Sequence, residues 1–212
     1  MTHCSALPGN AAPADNAGEG EASRRRVLLL TAATAGVGMA CTAVPFVSSF
    51  APSERARASG ASVEVDIADI PPGGIKTVEW RGKPVWIMRR TPEMLAAMAT
   101  LDGRLVDPQS QRDQQPAYAR NPQRSVKPEV FVGVGICTHL GCSPNAVPLG
   151  SGNPSVGDDW MGGFFCPCHG STFDLAGRVF QNKPAPSNLE VPPHKYLSDT
   201  RLLIGEDDAG VA

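Results

Sequence analysis

The sequence predicts a mainly β domain that follows one N-terminal membrane-spanning helix and a flexible linker. Three observations support this prediction. An uncharged run from Val27 to Phe50 follows consecutive arginines, and a small, polar segment without an apolar face comes next. From Val63 onward, short apolar segments are separated by turn-forming residues, which is typical of β structure. The 22 Gly and 20 Pro suit a turn-rich domain but stay below the level of a disordered low-complexity chain.

Composition narrows both the architecture and the chemistry. The 212 residues carry 19 Lys and Arg against 21 Asp and Glu, for a formal net charge of −2. This length suits one domain with attachments or two small domains. The near-neutral charge excludes a protein that coats nucleic acid, because such a protein needs a clear basic excess. Of six Cys and four His, four Cys and two His lie between positions 137 and 169, so this window holds the candidate chemistry.

The N-terminal part is predicted to be an export signal that remains as an anchor. Residues 1–22 lack periodicity and are predicted to be a disordered cytoplasmic leader, followed by a twin-arginine signal and transmembrane anchor over 23–50. Twenty-four uncharged residues, at about 1.5 Å rise each, can cross a hydrocarbon core of about 30 Å. The arginines are typical of twin-arginine export and favour a cytoplasmic N-terminus. The small-residue site near Phe50 is poor, so we expect an uncleaved anchor and a domain in the oxidising periplasm.

The segment 51–62 is predicted to be a flexible linker. Its residues are small and polar, and they offer no apolar face that could pack against a domain. The linker could be a passive stalk or a hinge whose length sets how far the domain swings. The sequence leaves these two interpretations open.

The β domain is predicted to span 63–206, with a disordered tail over 207–212. Val63, Val65 and Ile67 alternate with acidic residues, and Arg81-Gly82-Lys83 between two apolar segments is a hairpin signal. Thr91 as N-cap and Pro92 at the first helical position predict one short helix. Its apolar residues are predicted to fill the core rather than to bind metal, namely Met94, Leu95, Met98 and Leu101.

In the second half of the domain, two strands are each predicted to lead into a loop that contains cysteine and histidine. Residues 107–128 are polar and interrupted by prolines, so they are predicted to run irregularly over the surface. Strands at 130–134 and 160–165 then lead into Cys137 and Cys166, and shorter strands near 189–191, 196–197 and 202–204 close the domain.

The two loops have related forms. They read Cys137-Thr138-His139-Leu140-Gly141-Cys142 and Cys166-Pro167-Cys168-His169-Gly170-Ser171, so each offers two Cys and one His within six residues. A structural zinc site is one alternative, but six potential ligands exceed its four positions. The extra cysteines could instead join the loops by a disulfide outside the cytoplasm. Two plain disulfides with incidental histidines are a second alternative, which leaves the matched histidines unexplained.

These motifs resemble those of the Rieske iron–sulfur proteins. The resemblance extends to the anchor, the small-residue linker, the RGKPVWIMRRT segment and Pro184-Ala185-Pro186 after the second loop. Over residues 24 to about 205 the chain is similar to the Rieske subunit of ubiquinol–cytochrome c reductase. The resemblance implies a Rieske-type antiparallel β-sandwich with a small cluster-binding subdomain at about 135–187.

The resemblance also implies the ligands of one 2Fe–2S cluster. Cys137 and Cys166 would hold one iron as thiolates, and His139 and His169 would hold the other through imidazole nitrogens. Neutral imidazoles in place of two anionic thiolates make such a cluster accept an electron more readily. Cys142 and Cys168 match the family's disulfide, and further contacts to the cluster are implied for Leu140 as a cap against solvent, Ser171 as a hydrogen-bond donor and Pro184-Ala185-Pro186 as a rigid wall.

The function implied is electron transfer from quinol. His169 is the first candidate to accept a hydrogen bond from a quinol hydroxyl, with His139 beside it, so that electron and proton uptake are coupled. The domain would swing on residues 53–62 to pass the electron to cytochrome c1, while the quinone pocket lies largely on cytochrome b. A dimeric complex in the inner membrane of a bacterium, with the Rieske domain in the periplasm, is therefore expected. The alternatives are a Rieske subunit of another periplasmic oxidoreductase, such as arsenite oxidase, and a zinc module without redox function.

The remaining Cys and His residues are not expected to act in the site. His3 and Cys4 lie in the leader, Cys41 lies in the anchor, and His194 is predicted to be at the surface.

One position departs from the pattern of mitochondrial-type members, which have Tyr two residues after the Ser of the second loop. Here that position is Phe173, so one hydroxyl donor to Cys137 is missing and the cluster potential is predicted to be lower than in Tyr-containing relatives.

Overall fold

The computed structural model describes residues 17–51, 53, 60–208 and 210–211, which fall into two units with a boundary after Ser53. In the first unit, helix α1 (Ala17–Ser48) begins within the segment predicted as leader. Its part from Ser23 to Ser48 is long and apolar enough to cross a membrane, and every described side chain there is exposed. Residues 1–16 of the predicted leader, and residues 52 and 54–59 of the predicted linker, lie outside the described residues.

Hydroxyl groups along α1 are satisfied within the helix. Thr31 donates to the Val27 carbonyl at 2.8 Å, and Thr42 donates to the Met39 carbonyl at 2.9 Å. A polar group without a partner would be unfavourable in a bilayer, so these bonds allow threonines in a membrane-spanning segment.

The second unit is mainly antiparallel β, as predicted. Its described strands are β1 (Val63–Asp66), β2 (Ile75–Trp80), β3 (Lys83–Arg89), β4 (Val130–Val134), β5 (Asn145–Val147), β6 (Gly163–Phe165), β7 (Thr172–Phe173), β8 (His194–Ser198), β9 (Arg201–Ile204), β10 (Glu206–Asp207) and β11 (Gly210–Val211). They form sheets in the orders β1-β9-β8, β2-β3-β4 and β5-β6-β7, with β10 and β11 as a separate pair. The pairing of β10 with β11 places a hairpin where the sequence predicts a disordered tail.

The sheet β2-β3-β4 has a core on each of its faces. Val85 and Ile87 of β3 pack with residues of β1 and β9, such as Val65 and Leu202. Trp86, between them in sequence, packs on the opposite face with residues of β6 and β7 and with both free cysteines of the loops. Because successive side chains of a strand point to opposite faces, one strand joins the sandwich core to the core behind the loops.

Local signals for the hairpin and the helix are confirmed. The β2–β3 hairpin turns at Arg81 and Gly82, which both have positive φ, and Trp80 pairs with Lys83. Helix α2 (Pro92–Ala99) begins after Thr91, whose hydroxyl accepts from the Met94 amide at 3.3 Å. Met98 is buried in the core, as the sequence predicts.

The excursion over 107–128 is irregular apart from a 3₁₀ turn at Ala117–Ala119, as predicted, but it does not run only over the surface, because Ser110, Ala119 and Arg124 are fully buried. The prediction that His194 lies at the surface is wrong, because its side chain is only 2 % exposed. Its ring packs edge-on against Tyr118 at 5.5 Å, and its Nδ1 lies 2.8 Å from the Pro192 carbonyl oxygen. Burial in this position lowers the pKa of His194. The neighbouring prolines and Lys195 gave no signal that His194 contacts Tyr118 of the excursion.

Candidate metal centre

The two Cys-His loops have the same backbone hydrogen bonds. In the first loop the Cys137 amide donates to the Cys142 carbonyl at 2.7 Å, and the Gly141 amide donates to the Cys137 carbonyl at 3.0 Å. In the second loop the Cys166 amide donates to the Ser171 carbonyl at 2.8 Å, and the Gly170 amide donates to the Cys166 carbonyl at 3.0 Å. The relation seen in sequence is therefore a repeated loop structure.

The glycine in each loop is needed for this backbone geometry. Gly141 and Gly170 have φ values of 83° and 75°, in the left-handed region that other L-residues rarely adopt. An added Cβ would meet no atom within 4 Å at either position. The requirement therefore comes from backbone conformation and not from crowding.

Packing between two sheets brings the two loops together. The first loop follows β4, and the second lies between β6 and β7, which pair through Phe165 and Thr172. Behind the loops, Trp86 of β3 stacks on Phe164 of β6, with ring centroids 4.6 Å apart. This packing ties the sheet that carries one loop to the sheet that carries the other.

A disulfide joins Cys142 of the first loop to Cys168 of the second. The sulfurs of Cys142, Cys166 and Cys168 lie within 4.8 Å of one another, a grouping that by distance alone could hold a metal. Two of these sulfurs are bonded to each other, however, so Cys166 is the free thiol of the three. The disulfide thus removes the surplus cysteine of each loop from the set of ligands.

The other free thiol of the two loops, Cys137, is buried with Cys166 in the core behind the loops. Burial raises the pKa of Cys137, and the neighbouring Cys166 thiol raises it further. The His139 backbone amide and the Ser171 side chain act in the opposite direction. A metal binds the thiolate, so its positive charge would replace the proton that burial favours here.

The two loop histidines lie side by side but differ in exposure. Their ring centroids are 4.7 Å apart, with the planes at 87°. His169 is exposed, whereas His139 is partly buried. The Nδ1 of His139 is buried and has no hydrogen-bond partner among the described residues. A buried nitrogen lone pair without a donor is unfavourable unless something else satisfies it, and a metal ion would do so.

The segment after the second loop holds both loops in place. The Ala185 amide donates to the Ser171 hydroxyl oxygen at 3.0 Å. The Thr138 hydroxyl donates to the Ser187 carbonyl at 2.6 Å, and Arg112 donates to the Pro186 carbonyl at 2.7 Å. Residues 185–187, which include part of the segment predicted as a wall, are thus fixed by side chains from both loops and from the irregular excursion. The roles of Thr138 and Arg112 are not evident from the sequence, because their partners are backbone carbonyls far along the chain.

The residues of the site fit an iron–sulfur cluster with mixed ligands. The donor set that remains is two buried free thiols, one buried imidazole nitrogen without a partner, and a second imidazole beside it. Two Cys and two His are also the ligands of the Rieske type of centre. Leu140, expected as a cap, has a side chain that is 69 % exposed at the end of the first loop. Cys41 is exposed on α1, and His3 and Cys4 lie outside the described residues.

Comparisons with known proteins agree with this chemistry. The family described as "Rieske [2Fe-2S] domain" matches residues 109–193, and the family described as "Ubiquitinol-cytochrome C reductase Fe-S subunit TAT signal" matches residues 14–53. A protein of Allochromatium vinosum is 58 % identical over 87 % of this chain and 89 % of its own. Proteins of Blastochloris viridis and Rhodospirillum rubrum are 42 % and 44 % identical, over 91 % and 88 % of this chain and 96 % and 93 % of their own. Each of the three is described as "Ubiquinol-cytochrome c reductase iron-sulfur subunit".

Proposed function

Because the chain belongs to the family of ubiquinol–cytochrome c reductase iron–sulfur subunits, with a Rieske [2Fe–2S] domain, we propose that it accepts an electron and a proton from quinol and passes the electron to cytochrome c1. The observation that carries the proposal is the pair of structurally repeated loops, which present two buried thiols and two adjacent imidazoles. The names of the relatives favour this function over the Rieske subunit of arsenite oxidase.

The proposed ligands divide by donor atom, with sulfur on one iron and nitrogen on the other. The thiolates of Cys137 and Cys166 hold one iron, and the imidazoles of His139 and His169 hold the other. For His139 the nitrogen concerned is Nδ1, which is buried and has no other partner in the described part of the chain. When bound, the cluster supplies a one-electron acceptor whose charge becomes more negative by one on reduction.

The difference in exposure of the two histidines supports distinct contacts with quinol. The exposed ring of His169 can reach a substrate on another subunit, so we assign it the first hydrogen bond to the quinol hydroxyl. The partly buried ring of His139 lies beside it and is the second candidate. Leu140, in the same loop as His139, is exposed. A contact with a partner subunit would bury this apolar side chain away from water.

The proposed partners are cytochrome b, which forms most of the quinone pocket, and cytochrome c1, in a dimeric complex of the bacterial inner membrane. Support comes from the apolar helix Ser23–Ser48 together with the export-signal match over 14–53. The oxidised cysteine pair Cys142–Cys168 suits the periplasmic side.

The first experiment reads the cluster itself in the full-length protein. We expect two iron and two acid-labile sulfides per chain, and a low-g Rieske signal by electron paramagnetic resonance after reduction with dithionite. One zinc per chain without that signal would overturn the proposal in favour of a structural zinc site. Copurification with b- and c-type haem, and quinol-dependent reduction of cytochrome c, test the assignment to this complex.

The linker over 51–62 is proposed to be a hinge. If so, successive prolines across 56–61 should slow quinol–cytochrome c turnover severalfold and leave the spectrum of the cluster unchanged, because proline restricts backbone dihedrals. Substitution of the same positions by Ser is the matched control. Unchanged turnover in the proline variant would reduce the segment to a passive stalk.

A further inference from the structure

Two buried arginines lie behind the loops, and no carboxylate in the described part of the chain is in hydrogen-bond contact with either. Arg90, at the end of β3, is 3 % exposed and donates to the Gln123 carbonyl at 2.9 Å and the Ser125 hydroxyl at 2.6 Å. It also donates to the Leu175 carbonyl at 3.4 Å. Its guanidinium lies over the Phe131 ring, 5.6 Å from the centroid. All these partners are neutral.

Arg124, from the irregular excursion, is fully buried and reaches the same turn from another side. It donates to the carbonyls of Ala176 at 3.2 Å, Gly177 at 3.3 Å and Leu189 at 2.6 Å. The Gln115 side chain accepts a further bond at 2.9 Å. Again each acceptor is a neutral oxygen. Arg90 and Arg124 therefore enclose the turn 175–177, which directly follows β7 and Asp174.

The third buried arginine in this region differs, because it is neutralised. Arg178 donates through Nε to the Asp174 carboxylate at 2.8 Å, and it pairs with Asp102 at 3.0 Å. Asp107, the other buried carboxylate here, accepts from the amides of Gln111 and Arg112. The carboxylates of this region are thus held by Arg178 and by backbone amides.

A charge buried in the interior is unfavourable unless other charges or hydrogen bonds compensate it, and here the Asp174 carboxylate attracts both guanidinium groups without bonding to either. Burial lowers the pKa of Arg90 and that of Arg124 to about 10. Both groups therefore keep their charge at neutral pH. Nothing in the local hydrogen bonding requires a cation, because neutral donors could satisfy the same carbonyls.

One packed core connects the two arginines with the cysteines of the loops. Phe131, Leu175 and Ala176, which contact the two arginines, belong to the same packed core as Cys137 and Cys166. β7 alone separates Ser171 of the second loop from Asp174. Charges that interact through a packed interior are screened far less than charges at the surface.

We propose that Arg90 and Arg124 stabilise the reduced form of the centre by electrostatic attraction, and so raise its reduction potential. The proposal rests on the proposed function, in which one electron passes from quinol to the centre and makes it more negative by one. The arginines form no bond with the centre and exchange no proton in this step. Their effect on the centre is electrostatic and passes through the packed interior of the domain.

The test is a redox titration of the full-length protein, monitored by electron paramagnetic resonance. In Arg90→Gln and in Arg124→Gln, we expect the ratio of reduced to oxidised centre at a fixed ambient potential to fall roughly three- to tenfold. Arg90→Lys and Arg124→Lys lose hydrogen bonds and keep the charge only below the pKa of the buried lysine, so they should approach the parent ratio at acidic pH and the glutamine ratio at alkaline pH. Arg120→Gln, on the exposed part of the same excursion, is the matched control and should not change the ratio.

Asp174→Asn separates electrostatics from loosening of the structure. It removes a buried negative charge next to the same turn, so the ratio should rise, opposite to the glutamine variants. If Asp174→Asn lowers the ratio together with the two glutamine variants, or if none of these three variants changes it, the proposal is wrong. A parent protein without the Rieske signal would overturn the proposed function instead, whereas a normal signal with no shift in these variants would overturn this inference alone.

Discussion

The two Cys-His loops have one backbone pattern but different surroundings. Each starts with a buried free cysteine and closes with an amide-to-carbonyl bond from that cysteine to the residue five positions later. That later residue is Cys142 in the first loop and Ser171 in the second. The histidine of the first loop is partly buried, and that of the second is exposed.

This difference indicates a division of roles within a shared frame. The repeated hydrogen bonds fix where the two thiols lie, so each loop presents its leading thiol in the same way. The residues that are not repeated supply the disulfide and a hydroxyl beside the Cys137 thiol, and the histidine ring is exposed in the second loop but not in the first. Three predictions test the division, from the largest expected effect to the smallest, and a fourth concerns a buried histidine outside the loops.

The first prediction concerns the equivalence of the leading cysteines. Cys137→Ser and Cys166→Ser should each abolish the cluster, because a serine hydroxyl is a poor replacement for a thiolate ligand. Iron content and the visible absorption spectrum measure this loss. Cys41→Ser, on α1, should keep the full iron content. A cluster at normal occupancy in either loop variant would contradict the equivalence of the two loops.

The second prediction concerns the disulfide that joins the loops. Cys142→Ser and Cys168→Ser leave the proposed ligands complete, but each releases a constraint between positions 26 residues apart. Such a loop contributes about 3 kcal/mol to the free energy of unfolding, so stability and cluster occupancy should fall without complete loss of the cluster. Denaturant unfolding measures the first, and iron content measures the second.

A thiol count checks the pairing that this prediction assumes. Alkylation of the unfolded, unreduced protein should leave Cys142 and Cys168 unlabelled. Label on both of these cysteines would show that they are not paired in the protein.

The third prediction concerns a hydrogen-bond donor to the Cys137 thiolate. Phe173 of β7 is fully buried in the core that contains Cys137 and Cys166. Phe173→Tyr should add a hydroxyl donor toward Cys137 and favour the reduced cluster by about 1 kcal/mol, which is roughly 40 mV for a one-electron couple. Protein-film voltammetry gives the potential directly.

Phe164→Tyr provides the matched control for this variant. Phe164 is also fully buried, belongs to the same core and pairs with Phe173 across the sheet. Its hydroxyl is not expected to raise the potential. If Phe173→Tyr leaves the potential unchanged, another group already donates to that thiolate.

The fourth prediction concerns His194, a buried histidine outside the two loops. Burial lowers the pKa of His194, so the unfolded chain binds its proton more readily than the folded domain does. The free energy of unfolding should therefore decrease as the pH falls through about 6.5, by at most about 1.4 kcal/mol per pH unit, and level off below the folded-state pKa.

Denaturant unfolding between pH 5 and 8 measures this slope. His194→Gln should flatten it. Tyr118→Phe removes the hydroxyl that accepts from the His194 amide but leaves the imidazole in place, so its slope should remain. A parent slope that persists in His194→Gln would assign the titration to another group.

Local signals predicted much of the fold. The alternation at Val63, Val65 and Ile67, the turn at Arg81-Gly82 and the N-cap at Thr91 each depend on residues within a few positions, and each prediction is confirmed. The tail and His194 were not predictable in this way. β10 pairs with β11 through backbone bonds that leave little pattern in side chains, and His194 is buried by Tyr118, 76 positions earlier.

The sequence by itself determined the chemistry of the two loops, because Cys, His and Gly at fixed short spacing act through a backbone that they shape locally. Only the tertiary structure decided which groups are buried and which partners they have. Among the described residues, it left the His139 Nδ1 without a hydrogen-bond partner and gave Arg90 and Arg124 no carboxylate in hydrogen-bond contact, and it fixed Ser171 through the Ala185 amide. These features depend on contacts between distant segments, and burial changes the energy of a charge or a lone pair far more than its neighbours in sequence do.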